Sequence, residues 1–295
     1  MAQTLSRIRV VVLGASGMIG HRVFLHLRTL DAFTVIGFGG KNHFRGRLHR
    51  IDAFDEASLL PSLEAAKPDL IINCVGLLIA DAARRPGRAA YLNGYLPHRL
   101  AEIASSMNAR LIHISTDCVF SGSAQGGYTE TSIPDGFDAY ARSKALGEVI
   151  YAPHCTLRTS VVGPELKVTG SELFNWFMLQ TGPIKGYESS IWSGVTSNVL
   201  AVAVEAACRQ PISGLHHITN GNPISKYALL QLLKKYTGKD IHIEKVPGRI
   251  TNKHFKNTRD ALGLKIPSYD KMICEMASYI RANISLYPHY QNISE

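Results

Sequence analysis

Residues 8–20 read IRVVVLGASGMIG. Ile8 to Leu13 is almost wholly apolar, without the alternation of a half-exposed strand. That fits a strand buried on both faces of a parallel sheet. It runs straight into Gly14, Gly17 and Gly20, spaced GxxGxxG, and then into HRVFLHLRTL, which reads as a helix. Strand, glycine turn and helix in this order imply a crossover to a parallel neighbour, which restricts the chain to alternating β and α elements. Such a turn brings backbone close to a pyrophosphate and presents unbonded N–H groups at the positive end of a helix dipole. The same pattern also serves as a plain βα turn without a ligand.

The alternation continues. Thr34 to Phe38, Arg47 to Asp52, Asp69 to Val75, Leu111 to Thr116 and Thr156 to Val162 read as the second to sixth strands. Between them lie the helices EASLLPSLEAA, Pro97 to Met107 with Pro97 at its first position, and one carrying Tyr140 and Lys144. Repeated βα units predict a doubly wound parallel sheet. Beyond Gly163, Ser171 to Gln180 reads as a helix and Gly182 to Thr196, rich in Gly, Ser and aromatics, as loops. Ser197 to Cys208 is an apolar helix, Leu215 to Thr219 a short strand, and Ser225 to Tyr236 an amphipathic helix capped by Ser225. Ile241 to Val246 reads as a strand and Tyr269 to Ile280 as the last helix. The expected organisation is a dinucleotide-binding domain over 1–163 and a smaller α/β substrate-binding lobe over 164–295, with segments around 197–219 returning to the main sheet.

The chain has 295 residues, enough for one large α/β domain or one and a half. No apolar stretch approaches the ~20 residues of a membrane helix. The N-terminal apolar run leads into the glycine turn and not into a signal cleavage site, so a cytoplasmic protein without a membrane partner is expected. Cys74, Cys118, Cys155, Cys208 and Cys274 contain no CxxC pair and read as reduced thiols. No metal-ligand spacing occurs, and the adjacent His216 and His217 point to opposite faces if they lie on a strand. The formal charge of +9 is dispersed over Lys41 to Arg50, Arg84 to Arg88 and Lys245 to Arg259, with no aromatic-interleaved basic stripe. This favours an electrostatic funnel for a nucleotide and a diphosphate substrate over nucleic acid.

An acidic residue ~20 positions past the glycine turn would hold the ribose 2′-hydroxyl of NAD. Gly37-Phe38-Gly39-Gly40-Lys41 contains none. Lys41, with Arg45, either attracts a 2′-phosphate or is an ordinary loop charge. NADP(H) is therefore the preferred cofactor and NAD(H) the second option. Asp52 either contacts adenine or caps the next helix. Asn73-Cys74 closes the fourth strand beside the expected nicotinamide half of the cleft, and Arg158 ends the sixth strand, where loops face the cofactor again.

Tyr140 and Lys144 are four apart and share one helix face. Reducing a ketone needs a proton on the oxygen as hydride reaches the carbon. A tyrosine, with an ordinary pKa near ~10, serves better when a lysine ammonium beside it favours the phenolate. The spacing also fits a surface pair. Thr116, at a strand end, is placed to bond a substrate carbonyl, with Ser115 turned to the other side. Asp117 orients that group or meets substrate. All three also suit a strand-end turn. Asn93 either stabilises its helix or holds a water in a proton relay at the substrate.

In order, GASGMIG, INCVG, YLNGYLPHRLA, HISTDCVFSG, YARSKALGE and LRTSVVG resemble the extended short-chain dehydrogenases/reductases, a Rossmann-type family. Within them the likeness is to dTDP-4-dehydrorhamnose reductase and related nucleotide-sugar 4-ketoreductases, with STDxVFxG the more specific piece. The resemblance covers nearly the whole chain and is looser beyond Gly163. It implies NADPH-dependent reduction of a 4-keto-6-deoxy sugar on a nucleoside diphosphate. Thr116, Tyr140 and Lys144 would be the catalytic triad. Gly14, Ser16, Gly17, Met18 and Ile19 would meet the cofactor diphosphate. The segment Ile191 to Ala201 resembles the one that contacts the sugar nucleotide, with Trp192 and Thr196 the chosen contacts; Trp192 also suits core packing.

Cys118 stands where the rhamnose enzymes usually have Tyr. Asp-Gly-Phe-Asp-Ala before Tyr140, IWSGVTS and ISKYALLQLL look more like reductases that make UDP-linked N-acetyl-6-deoxy-L-sugars for bacterial surface polysaccharides such as O-antigen. Some family members dimerise, so a homodimer is among the expected states. Two rival expectations use the same motifs. One is a nucleotide-sugar 4-epimerase that retains NAD. The other is a non-catalytic regulatory subunit resembling the beta subunit of methionine adenosyltransferase.

Overall fold

The structure is a computed structural model and describes residues 7–40 and 48–290. Two compact units alternate along the chain. Of the described residues, the first comprises 7–40, 48–115, 138–157 and 201–215, and the second 116–137, 158–200 and 216–290. Among the described residues no helix is long and apolar enough to cross a membrane.

The main sheet begins with β1 (Ile8–Leu13), α1 (Met18–Arg28), β2 (Phe33–Gly39) and β3 (Leu48–Arg50). It continues through α2 (Glu56–Ala66), β4 (Leu70–Asn73), α3 (Ile79–Arg84), α4 (Pro86–Ala89), α5 (Leu96–Ser106), β5 (Arg110–Thr116), α6 (Ala139–Leu146) and β6 (Cys155–Thr159). Later come β7 (Val161–Val162), α7 (Leu173–Leu179), β8 (Ile184–Tyr187), β9 (Ser190–Trp192), β10 (Val195–Thr196), α8 (Ser197–Arg209) and β11 (Gly214–His217). The seven strands lie in the order β11-β6-β5-β4-β1-β2-β3. The pairs β1·β2, β1·β4, β2·β3 and β4·β5 are parallel. Helices cover the sheet, giving the Rossmann-like α/β fold anticipated above. Val11, Leu13, Ile71 and Leu111 from the sheet pack in one cluster with Leu59, Leu63, Leu92, Leu96 and Leu100 from the helices. Each such side chain contributes about 1.5–3 kcal/mol on burial.

Pro97 stands in the first turn of α5, as expected, but α5 continues an earlier helical run and does not start from a loop. The chain is helical from Pro86 to Ser106, and Ala90–Tyr95 between α4 and α5 is a π-helical stretch. Proline has no N–H for the carbonyl four residues back and crowds it, and the wider turn accommodates both. The first-position proline is Pro86.

The second unit is completed by β12 (Ile224–Ser225), α9 (Lys226–Thr237), β13 (Ile243–Val246), β14 (Thr251–Asn252) and α10 (Tyr269–Ala282). Ser225 caps α9 by accepting from the Ala228 N–H, and Gly238 ends it in the left-handed conformation, φ 67°. Tyr269, Met272, Ile273, Met276, Ala277 and Ile280 form the buried stripe of α10. The segment 182–196 is not loop. β8 pairs with β13, β9 with β12 and β14, and β10 with β7. Gly186 within it is a packing position: a Cβ there would lie 2.7 Å from the Tyr227 ring. Nor is 156–162 one strand. The chain breaks at Ser160, whose carbonyl accepts from Val195 N–H at 2.8 Å, and β7 leaves the main sheet to pair with β10.

Candidate active site

Gly14 takes φ +77°, and a Cβ there would lie 3.0 Å from the Cys74 carbonyl atoms. A Cβ on Gly20 would lie 2.1 Å from Gly14 O. Strand, turn and helix therefore close on one another only without side chains. Gly17 is the N-cap of α1, which has no side-chain cap and no acidic residue in its first turn. Gly17 is exposed, with Ser16, Met18 and Ile19 half-buried around it. Anion-seeking N–H groups and a backbone cradle suit a dinucleotide diphosphate. The fully buried His21 braces the turn by donating from Nδ1 to Gly17 O at 2.8 Å. Burial pushes its pKa down to about 3, so the ring is neutral. Sequence reasoning missed His21, whose one signal is an ionisable residue on the apolar side of the first helix. Lys41 lies outside the described residues. Asp52 accepts from the Phe54 N–H at 3.0 Å, forming the turn that leads into α2.

Asp138 caps α6 by accepting from Ala141 N–H at 2.8 Å, which fixes the helix that carries Tyr140 and Lys144. Tyr140 is half-buried and Lys144 buried. Lys144 Nζ donates to Ile114 O at 2.8 Å and lies 3.3 Å from His113 Nε2. Burial pushes the Lys144 pKa down to about 8, against the pull of Glu148 toward the ammonium. Burial also pushes the Cys74 thiol up to about 12, which leaves it uncharged. Ser115 donates to Glu148 at 2.7 Å.

Asn73 accepts from Val75 N–H at 3.0 Å and faces His113 Nδ1 at 3.1 Å. Asn93 accepts from Leu77 N–H at 2.8 Å and donates to Leu77 O at 3.1 Å and Ser143 Oγ at 3.2 Å. Its amide ties α6 to the π-helical stretch. Gly14, Asn73, Cys74, Asn93, Tyr140 and Lys144 all belong to the first unit.

Thr116, Asp117, Arg158, Trp192 and Thr196 belong to the second unit. Thr116 Oγ1 donates to Asp117 at 3.2 Å and accepts from Cys118 N–H at 3.1 Å. Arg158 is buried, donates to His217 Nε2 at 3.1 Å and stacks 5.0 Å from the centre of the Phe120 ring. Trp192 donates to Ser160 Oγ at 2.7 Å and lies against Tyr269. Thr196 is buried and accepts from Val199 N–H at 3.4 Å, at the entry to α8.

A profile of the RmlD substrate binding domain family matches residues 8–178, more than half of the chain. The chain belongs to this family. Among curated relatives, dTDP-4-keto-6-deoxy-D-glucose reductase of Streptomyces niveus is 26% identical over 249 residues, 82% of this chain and 81% of that protein. Methionine adenosyltransferase 2 subunit beta of Xenopus laevis is 31% identical over 141 residues, 48% of this chain. The chain spans 41% of that relative's length. The crystal structure of dTDP-4-dehydrorhamnose reductase from Bacillus anthracis in complex with NADP superposes with a TM-score of 0.79 at 19% identity, covering 93% of this chain and all of that one. At that identity the superposition shows the shared fold.

Proposed function

We propose that this family member reduces the C4 ketone of a nucleotide-linked 4-keto-6-deoxyhexose with NADPH, supplying a sugar for a surface polysaccharide. The observation that carries the reading is α6. Tyr140 and Lys144 stand one turn apart there, and Lys144 is buried on the Ile114 carbonyl of β5, the strand that ends in Thr116. The reductase name and broad coverage of the Streptomyces niveus relative support it.

NADPH, when bound, supplies the hydride. Gly14, Ser16, Gly17, Met18 and Ile19 would hold its diphosphate at the N-terminus of α1. Asn73, Cys74 and Arg158 are proposed on the nicotinamide side, and Lys41 and Asp52 on the adenosine side. Tyr140 gives its proton to the C4 oxygen, and Lys144, as the ammonium it is below about pH 8, stabilises the phenolate left behind. Thr116 turns its hydroxyl from Asp117 toward the same oxygen. Thr196 acts through the backbone it holds at the sugar-nucleotide end, Trp192 through its bond to the Ser160 hydroxyl, and Asn93 through its grip on α6.

The test is NADPH consumption, followed by absorbance, with dTDP- and UDP-linked 4-keto-6-deoxy sugars offered side by side. Turnover with one names the nucleotide, and Tyr140→Phe lowers it about 10²- to 10⁴-fold. Purified protein carrying NAD, with no net NADPH consumption, overturns the reading in favour of an epimerase. The match to the Xenopus laevis beta subunit favours a second reading, a regulatory subunit. In that case Tyr140→Phe leaves the biological function intact.

A further inference from the structure

Asn73 and His113 are register partners on the parallel strands β4 and β5, and both are fully buried. Asn73 Oδ1 accepts from Val75 N–H at 3.0 Å, which identifies the two ends of the amide. Its NH2 group therefore faces His113 Nδ1, 3.1 Å away. His113 Nδ1 must accept that bond, and a neutral ring then carries its proton on Nε2. Nε2 lies 3.3 Å from Lys144 Nζ. On its other side Nζ meets Ile114 O at 2.8 Å, which can only accept. An ammonium has three donors and no lone pair, so it cannot accept from Nε2–H. A neutral amine accepts from Nε2–H while donating to Ile114 O.

We propose that Asn73 and His113 form a proton-orienting pair, in which Asn73 pins the His113 ring as its Nε2–H tautomer and His113 donates that hydrogen to the amine nitrogen of Lys144. His113 is thus a positioning residue that acts through Lys144. Its importance for turnover rests on the reductase reading above; the direction of the bond does not.

The charges around the pair agree. Burial above all, with the Lys144 ammonium adding to it below about pH 8 and His98 of α5 after that, holds the His113 ring well below the usual histidine range, so it is uncharged. Lys144 is pushed down to about 8 by burial. Glu148, just beyond α6, favours the ammonium, and the Cys74 thiol after β4 is neutral. A lysine in this setting exchanges its proton near neutral pH, where a fully hydrated one would stay a fixed cation.

The deciding measurement is the ring tautomer of His113, read by two-bond 1H–15N correlation on the full chain with labelled histidine and no ligand. The expected spectrum has Nε2 protonated and Nδ1 bare above about pH 8, where Lys144 is the amine that can accept the bond. A protonated Nδ1 or an imidazolium overturns the proposal.

Asn73→Asp keeps the shape and the Val75 bond but replaces the amide donor with an acceptor. The ring is then expected to switch to Nδ1–H, and an unchanged tautomer counts against the pair. The added carboxylate also favours the lysine ammonium, so the tautomer is the signal to read. For Lys144, the 13Cε shift of labelled lysine gives the titration midpoint. His113→Phe should raise it by about one unit, a tenfold change in the ratio of forms, and His113→Gln, whose amide supplies an N–H near Nε2, should restore it. Gln behaving like Phe would mean packing alone. If the variants fail to fold, the wild-type spectrum still decides. None of these readouts uses turnover, so they stand or fall separately from the NADPH assay.

Discussion

A Cβ on Gly147 would lie 1.9 Å from the carbonyl oxygen of Asn93. Pro97, four residues after Asn93, has no N–H to give that oxygen the ordinary helical bond. The carbonyl instead faces the end of α6, where only glycine fits. Gly147→Ala is therefore expected to destabilise the protein by about 1–3 kcal/mol, the usual cost of overpacking. Urea unfolding should show a lower midpoint at unchanged slope. In NADPH assays kcat should fall more than KM, because the shifted helix carries Tyr140 and Lys144. An unchanged midpoint would mean that α6 moves aside without cost.

Gly20 carries a similar constraint at the cofactor turn, with a virtual Cβ 2.1 Å from Gly14 O. Gly20→Ala should raise the Kd for NADPH at least about tenfold, roughly 1.4 kcal/mol. Gly182→Ala is the control, since a Cβ there meets nothing within 4 Å. Calorimetric titration of both variants checks this, and equal affinities would remove the turn from the binding site.

Lys144 titrates at about 8 in the fold against 10.5 ordinarily. Between these values the unfolded chain binds more protons than the folded one. The lysine's share of stability therefore rises with pH across that window and is flat below it. Lys144→Met has no such share. Wild type should gain stability on the variant from about pH 8 to 10.5, measured by denaturant midpoints across the pH series. Parallel curves would mean that the lysine is not perturbed.

Arg158 is among the largest fully buried side chains, held by His217 and Phe120. His217 Nδ1 donates to Lys256 O at 2.9 Å, so its Nε2 is left as the acceptor for Arg158. Burial pushes the His217 pKa down to about 4, consistent with a neutral ring. Arg158→Met should cost about 1–3 kcal/mol through that unpaired nitrogen, seen in the unfolding midpoint. An unchanged midpoint would mean that the bond to His217 carries no stability, and a raised Kd for NADPH would support the place proposed for Arg158 on the nicotinamide side.

The elements legible in the sequence are those with local signals. β1 shows as an apolar run, α2 and α9 as helical periods, and Ser225 as a cap. The strands β8, β9 and β10 were hidden because they are two to four residues long, and β8 and β9 pair with partners far along the chain. The π-helical stretch was hidden because its cause, Pro97, is also what a helix start looks like. At the site, Tyr140 and Lys144 announce themselves by spacing on one helix. Asn73 and His113 do not, since each alone reads as a polar residue in an apolar strand, and only the β4·β5 register pairs them.

The two units exchange the chain at residues 115/116, 137/138, 157/158, 200/201 and 215/216. During synthesis this has a consequence for order of assembly. When residue 200 leaves the ribosome, six of the seven main-sheet strands are already out, but the outermost, β11 at Gly214–His217, is not. Until it arrives, β6 presents an unpaired edge made of residues that are all buried in the finished protein. Such an edge invites pairing with another nascent chain. A pause in translation between residues 160 and 213 should therefore lower the yield of folded protein more than a pause after residue 217.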